Sequence, residues 1–284
     1  MYRKSIFELL SENSDYISEY GKLIKMIRSD IIYTNYENAY TLEGFINNHI
    51  EDWKYRGTCT CFNEILKGIG ITNNTDKENA VSDLLYLIEL IINLGMFLKT
   101  KAKEELYESM NYLDDYQIEW IQSPSYFPKG LLFNNCIELL NRLGYIIQKD
   151  GDRLLIKNND VDAIATALEI KDKDISRLLL DYIDFRNEND LEVKKNILYS
   201  IAEYLEPLKD KIPNDDLKNT LFKLFNNVNI RHNNKKGKKK NELAASLTNE
   251  EQIEWYDRTF SLALTAIRLL EFKEDKAIYD QVKE

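Results

Sequence analysis

The chain has 284 residues, enough for one large domain or two ordinary ones, and its 44% hydrophobic content excludes a disordered polymer. A formal net charge of -10 gives no global attraction to nucleic acid, so phosphate contact would need a local basic patch acting within about 10 Å. Three cysteines and two histidines supply neither a disulfide framework nor a zinc cluster; Cys59, Cys61 and Cys136 read as reduced, buried thiols, with no metal and no cofactor expected.

Four prolines and ten glycines leave long windows for helix. The expected fold is mainly α and multi-helical, with a carboxyl-terminal antiparallel bundle and a small central β-hairpin. At the start, Glu8, Glu12, Asp15 and Glu19 interrupt any signal-like pattern, so a cytoplasmic protein is expected. Residues 5–32 read as helix, with a break near Gly21, followed by Tyr33, Tyr36 and Tyr40 as packing aromatics. Thr41 can cap a short helix, and 63–69 reads as another. Gly68-Ile69-Gly70 lacks the remainder of a dinucleotide fingerprint.

The window 78–99 is the most apolar helix. Its run from Leu84 to Leu98 falls short of a ~20-residue span and contains Glu89, which favours a core helix and no membrane. A further helix is expected over 101–121, ended by the prolines and glycine of 124–130. Residues 131–143 are helical, Gly144 is a carboxyl cap, and 145–148 and 153–156 are strand-like around an Asp150-Gly151 turn. Helix plus hairpin looks like part of a winged-helix unit, which implies DNA contact. A recognition helix should offer basic or amide groups; this one carries Glu138, with Asn134, Asn135 and Arg142, so a structural or protein-contact module is preferred. The expected domains are 1–130, 131–158 and 159–284.

Residues 159–182 have helical period with Asp160 a candidate cap, and the polar stretch 186–192 is a candidate hinge. Val193, Ile197, Leu198, Ile201, Leu205 and Leu208 define an amphipathic helix that Pro207 should end. In the next helix Leu217, Leu221, Leu224, Phe225 and Val228 form the buried stripe, and continued helix would present Asn227, Arg231 and His232 together. Lys235, Lys236, Lys238, Lys239 and Lys240 follow as an exposed basic loop. Ile253, Phe260, Ala263, Ile267 and Leu270 supply the facing stripe of the last helix.

An arginine can fork onto a phosphate and a histidine can move protons near neutral pH. Arg231 and His232 are therefore candidate groups for RNA cleavage, with Asn227 orienting, the five lysines recruiting the polymer and Tyr256 a further donor. A second reading stands beside it: His232 caps a helix end, Arg231 pairs with Glu250, Glu251 or Glu254, and the lysines form a solvated connector.

Three segments, KKNILYSIAEYLEPLK, LFKLFNNVNIRHNN and a final Tyr-containing helix, resemble the carboxyl-terminal domain of bacterial abortive-infection and other phage-defence proteins, and more broadly the HEPN superfamily. The resemblance spans about 193–271. It implies a helical, often dimeric protein and metal-independent ribonuclease activity, with Asn227, Arg231 and His232 as the carried-over positions. The family's usual motif separates arginine from histidine by a short gap, whereas here the two are adjacent, and Arg186-Asn187 has no histidine in reach. The expected function is phage defence through RNA binding or cleavage; the alternatives are a noncatalytic dimerisation or toxin-partner-binding protein and a DNA-binding regulator. The expected partners are RNA, a second copy and a protein partner.

Overall fold

Stripes of Leu and Ile at helical spacing must bury against one another, and in a computed structural model they do so in two compact units, residues 1–156 and 157–284. The structure describes residues 15–29, 31–34, 39–109, 131–231 and 247–282. They are mostly helical, with two small antiparallel sheets of two strands each.

In the first unit α1 (Tyr16–Ser29) buries Tyr20, Leu23, Ile24 and Ile27 at i, i+3, i+4 and i+7. A short hairpin follows, β1 (Ile31–Thr34) with β2 (Ala39–Thr41). Thr41 then caps α2 (Leu42–His49), its Oγ1 accepting from Gly44 N at 3.0 Å. After α3 (Phe62–Gly68) comes the long α4 (Ala80–Ser109), whose Leu84, Leu87, Ile88 and Ile92 are fully buried. The segment Ala80–Leu98 is long and apolar enough to cross a membrane by length and composition. Its polar residues are bound within the unit. Glu89 Oε2 accepts from Ile156 N at 2.9 Å, and Asn93 exchanges two hydrogen bonds with the Leu154 backbone, at 2.9 and 2.7 Å. These side chains close the outer edge of β4 (Arg153–Asn158), which pairs with β3 (Tyr145–Asp150) after α5 (Leu131–Leu143). Gly144 (φ 79°) and Gly151 (φ 63°) occupy the left-handed positions where these elements turn.

In the second unit each helix start is fixed by a short polar side chain. Asp160 caps α6 (Val161–Glu169), Asp172 caps α7 (Lys173–Tyr182), Asp190 caps α8 (Leu191–Leu205) and Asn214 caps α9 (Asp215–Asn227). Together with α10 (Asn249–Val282) they enclose a core of Leu179, Leu198, Ile201, Leu205, Leu221, Phe225, Phe260 and Ile267. Beside it Lys157 and Asp184, 2% and 4% exposed, meet at 2.6 Å. Arg186 adds two bonds to the same carboxylate, at 2.8 and 2.6 Å.

Several boundaries differ from those expected. Residues 31–34 leave the first helix because a β-branched and aromatic run, Ile-Ile-Tyr-Thr, favours a strand; Gly21 lies on the exposed face and breaks nothing. The expected break near residue 100 is absent, since α4 runs on to Ser109, while 110–121 lies outside the described residues. The window 159–182 is two helices, because Asp172 caps a new start. The polar stretch 186–192 lies inside the second unit and is tied down: Asn187 Nδ2 donates to Asp181 O at 2.8 Å.

Burial alone would raise the Asp184 carboxyl, but the hydrogen bonds from Arg186 and Lys157 outweigh it and hold the group below its ordinary value. A lowered folded pKa stabilises the protein above the unfolded value, about 3.9, and the contribution is lost as pH falls through the folded value. Asp184→Asn is expected to cost about 3 kcal/mol at neutral pH, since the charged Lys157 stays buried. It should also flatten the acid limb of stability below about pH 4, measured by urea unfolding across pH. A wild-type acid limb in D184N would contradict this account.

Candidate functional site

The end of α9 is built from a helix whose Leu221, Phe222 and Phe225 are buried and whose last residue is Asn227. Val228 departs from helical geometry (φ -106°, ψ 38°) and Asn229 takes a left-handed conformation (φ 64°), which asparagine tolerates better than most residues. The chain then folds back. Arg231 N donates to Phe225 O at 3.0 Å, and Gln252 of α10 donates Nε2 to Val228 O at 2.8 Å. Val228 and Ile230 are buried by this turn.

Asn227 therefore sits exposed at the helix end while Arg231 lies beyond the turn, and the helical strip expected to join Asn227, Arg231 and His232 does not continue. The left-handed Asn229 and the bond from Gln252, distant in sequence on α10, replace the next helical turn. His232 and the lysines Lys235, Lys236, Lys238, Lys239 and Lys240 lie outside the described residues.

Arg231 is bound to α8. Its Nη2 donates to Ala202 O at 2.8 Å, its Nη1 contacts the Glu206 carboxylate, and Glu203 Oε1 lies 3.8 Å away. The guanidinium carbon is 5.8 Å from the ring centres of both Phe222 and Phe225, and only 14% of the side chain is exposed. A cation at a helix carboxyl end is favoured by the exposed carbonyl dipoles. The acidic partners are thus Glu203 and Glu206, not the expected Glu250, Glu251 or Glu254. A phosphate on this guanidinium would have to displace Glu206 and sit beside Glu203, which opposes an anion.

A second polar cluster was not anticipated. Lys194 and Tyr182 are buried; Lys194 Nζ reaches Asp257 Oδ1 at 2.6 Å and lies 4.8 Å above the Tyr182 ring. Tyr182 donates its hydroxyl to Asp257 Oδ1 at 2.9 Å and stacks on Phe260 at 3.9 Å. Burial, then the Asp257 charge, pushes the Tyr182 phenol well above its ordinary range. The signal was present: Lys194 stands on the i, i+3, i+4, i+7 stripe with Ile197, Leu198 and Ile201, where a lysine must find an acceptor. Tyr256 is buried, and burial with the Glu192 charge raises its phenol to about 12.

The α5–hairpin element shows no excess of positive charge on its exposed side. Arg142 pairs with Glu138 at 3.1 Å, Arg153 with Asp150 at 2.6 Å, and Lys54 with Asp152. Among the described residues no three His, Cys, Asp or Glu side chains are grouped to hold a metal ion. Compared with known proteins, the chain matches no family model, no curated protein and no solved structure.

Arg231→Ala would leave the Ala202 carbonyl and the Glu206 carboxylate without their donor, take the cation from beside Glu203 and uncover part of both phenylalanine rings. A loss of about 2–4 kcal/mol is expected in urea unfolding, partly restored in Arg231→Lys, which keeps the charge but not the planar fork. An unchanged unfolding midpoint in R231A would rule out a structural role for the guanidinium.

Proposed function

We propose that the chain is a HEPN-like phage-defence protein whose second unit acts as a noncatalytic interaction bundle. The observation that supports this reading is the commitment of Arg231 to α8: the guanidinium that would clamp a scissile phosphate holds Ala202 O and Glu206 instead. A metal-independent cleavage site needs a group that holds the phosphate, and this arginine is already bound.

The test is incubation of wild type, H232A and R231K with structured and single-stranded RNAs, in EDTA and in magnesium. No cleavage is expected from any of the three. Cleavage by wild type that H232A abolishes, with its fold intact, would overturn the proposal. The five lysines within 235–240 favour a second reading, RNA capture without cleavage. Capture would appear in the same samples as binding that weakens steeply with salt, with a slope of about -0.7 per phosphate neutralised on single strands.

The interaction surface supported best is the outer face of α6. Val161 and Leu168 stand seven residues apart and are 68% and 75% exposed, with Ala165 between them. A second copy is the partner, in keeping with the dimers common among the proteins the sequence resembles. Light scattering at tens of micromolar, about the range of a modest interface, should give a dimer for wild type and a monomer for Leu168→Glu. A monomeric wild type would remove this part of the reading.

A further inference from the structure

We propose that a cleft in the first unit binds a small phosphate monoester of mononucleotide size. The cleft lies between the end of α1, the start of α2, α3 and the turn 70–73, and has a volume of about 780 Å³, within the range of small-molecule sites.

Its polar wall is organised by Arg28, whose side chain is 29% exposed. Nη2 donates to both Asn63 Oδ1, at 2.7 Å, and Asn73 Oδ1, at 2.6 Å. Nε is buried and lies 3.4 Å from Glu43 Oε2 without a hydrogen bond. A guanidinium has donors only, so both amides must turn their oxygens to it and their NH₂ groups elsewhere. The Asn63 amide nitrogen donates to Glu43 Oε1 at 3.2 Å. Asn73 Nδ2, Arg28 Nη1 and Lys67 Nζ make no hydrogen bond or ion pair with the described residues, which leaves three donors, two of them charged, in one cleft.

The lining carries two cations, Arg28 and Lys67, and one carboxylate, Glu43, with the Glu64 carboxylate near enough to Lys67 to feel its charge; at short range a small anion answers to these groups and not to the net charge of -10. The floor is apolar, formed by the buried Leu66 and Ile71. At the rim Gly70 (φ 80°) has open space where a Cβ would stand. Three features of a ligand follow. A dianionic head satisfies Arg28, Lys67 and Asn73. A flat, weakly polar body covers Leu66 and Ile71, and a hydroxyl or amino group donates to Glu43. A nucleoside monophosphate offers all three; inorganic phosphate offers only the head.

Calorimetric or NMR titration of the full chain with AMP, UMP, the parent nucleosides and inorganic phosphate tests the site. Saturable binding is expected for at least one monophosphate, weaker binding for phosphate and none for the nucleosides. Lys67→Gln is expected to weaken binding about tenfold, the value of one good charged contact. Asn73→Asp is the decisive variant. It keeps the oxygen that Arg28 requires, so the fold and melting temperature hold, yet it removes a donor and adds a negative charge. Binding should fall by more than tenfold in N73D. The proposal is overturned if no monophosphate binds at up to ~10 mM, a threshold beyond millimolar affinity. It is also overturned if nucleosides bind as tightly as their monophosphates, or if K67Q and N73D bind as wild type does.

Discussion

A polar group placed among apolar side chains must find a hydrogen-bond partner or cost several times what the bond itself contributes, and this fold meets that constraint wherever its elements join. Glu89 and Asn93 interrupt the apolar α4 and take up the backbone of β4. Lys157 meets Asp184, whose carboxylate Arg186 also binds; Lys194 meets Asp257 below the Tyr182 ring; Gln252 meets Val228 O. Apart from the Arg186–Asp184 pair, these bonds link residues distant in sequence, so each sets the register of one element on another. An apolar stripe alone tolerates a helix sliding or rotating by a residue, whereas a buried lysine does not.

Arg231 belongs with these joints. Removing its contacts would leave the Ala202 carbonyl of α8 without this donor and uncover part of two aromatic rings of α9, so its position is explained by packing before any chemistry is invoked. Its Nε is buried without an acceptor, while its two terminal nitrogens bind Ala202 O and the Glu206 carboxylate. A group held this way is a poor clamp, because the energy that would bind phosphate is already spent on the fold.

The helical character, the hairpin at 145–158 and the caps at Thr41 and Asp160 were legible because they depend on neighbours in sequence: period, a Gly in a tight turn, a side chain reaching three residues on. The expected site failed for the opposite reason. The helical spacing from Asn227 to Arg231 looked continuous, but the helix is ended by Gln252, more than twenty residues away, which no local pattern announces. Lys194 was readable in principle, since a lysine on an apolar stripe demands a partner; Asp257 as that partner was not. The cleft around Arg28 was invisible, because it gathers residues from 28 to 73 through a tertiary turn.

The ground around Arg231 is acidic as well as structural. The carboxylates of Glu203 and Glu206 lie against Arg231 and are themselves about half exposed. At physiological salt the field of exposed charges decays over about 8 Å, so theirs governs the immediate surroundings of Arg231. A phosphate approaching the guanidinium would meet these two carboxylates first, and to bind it would have to displace the one that Arg231 already holds. The contacts that fix α9 on α8 thus also keep anions from this arginine.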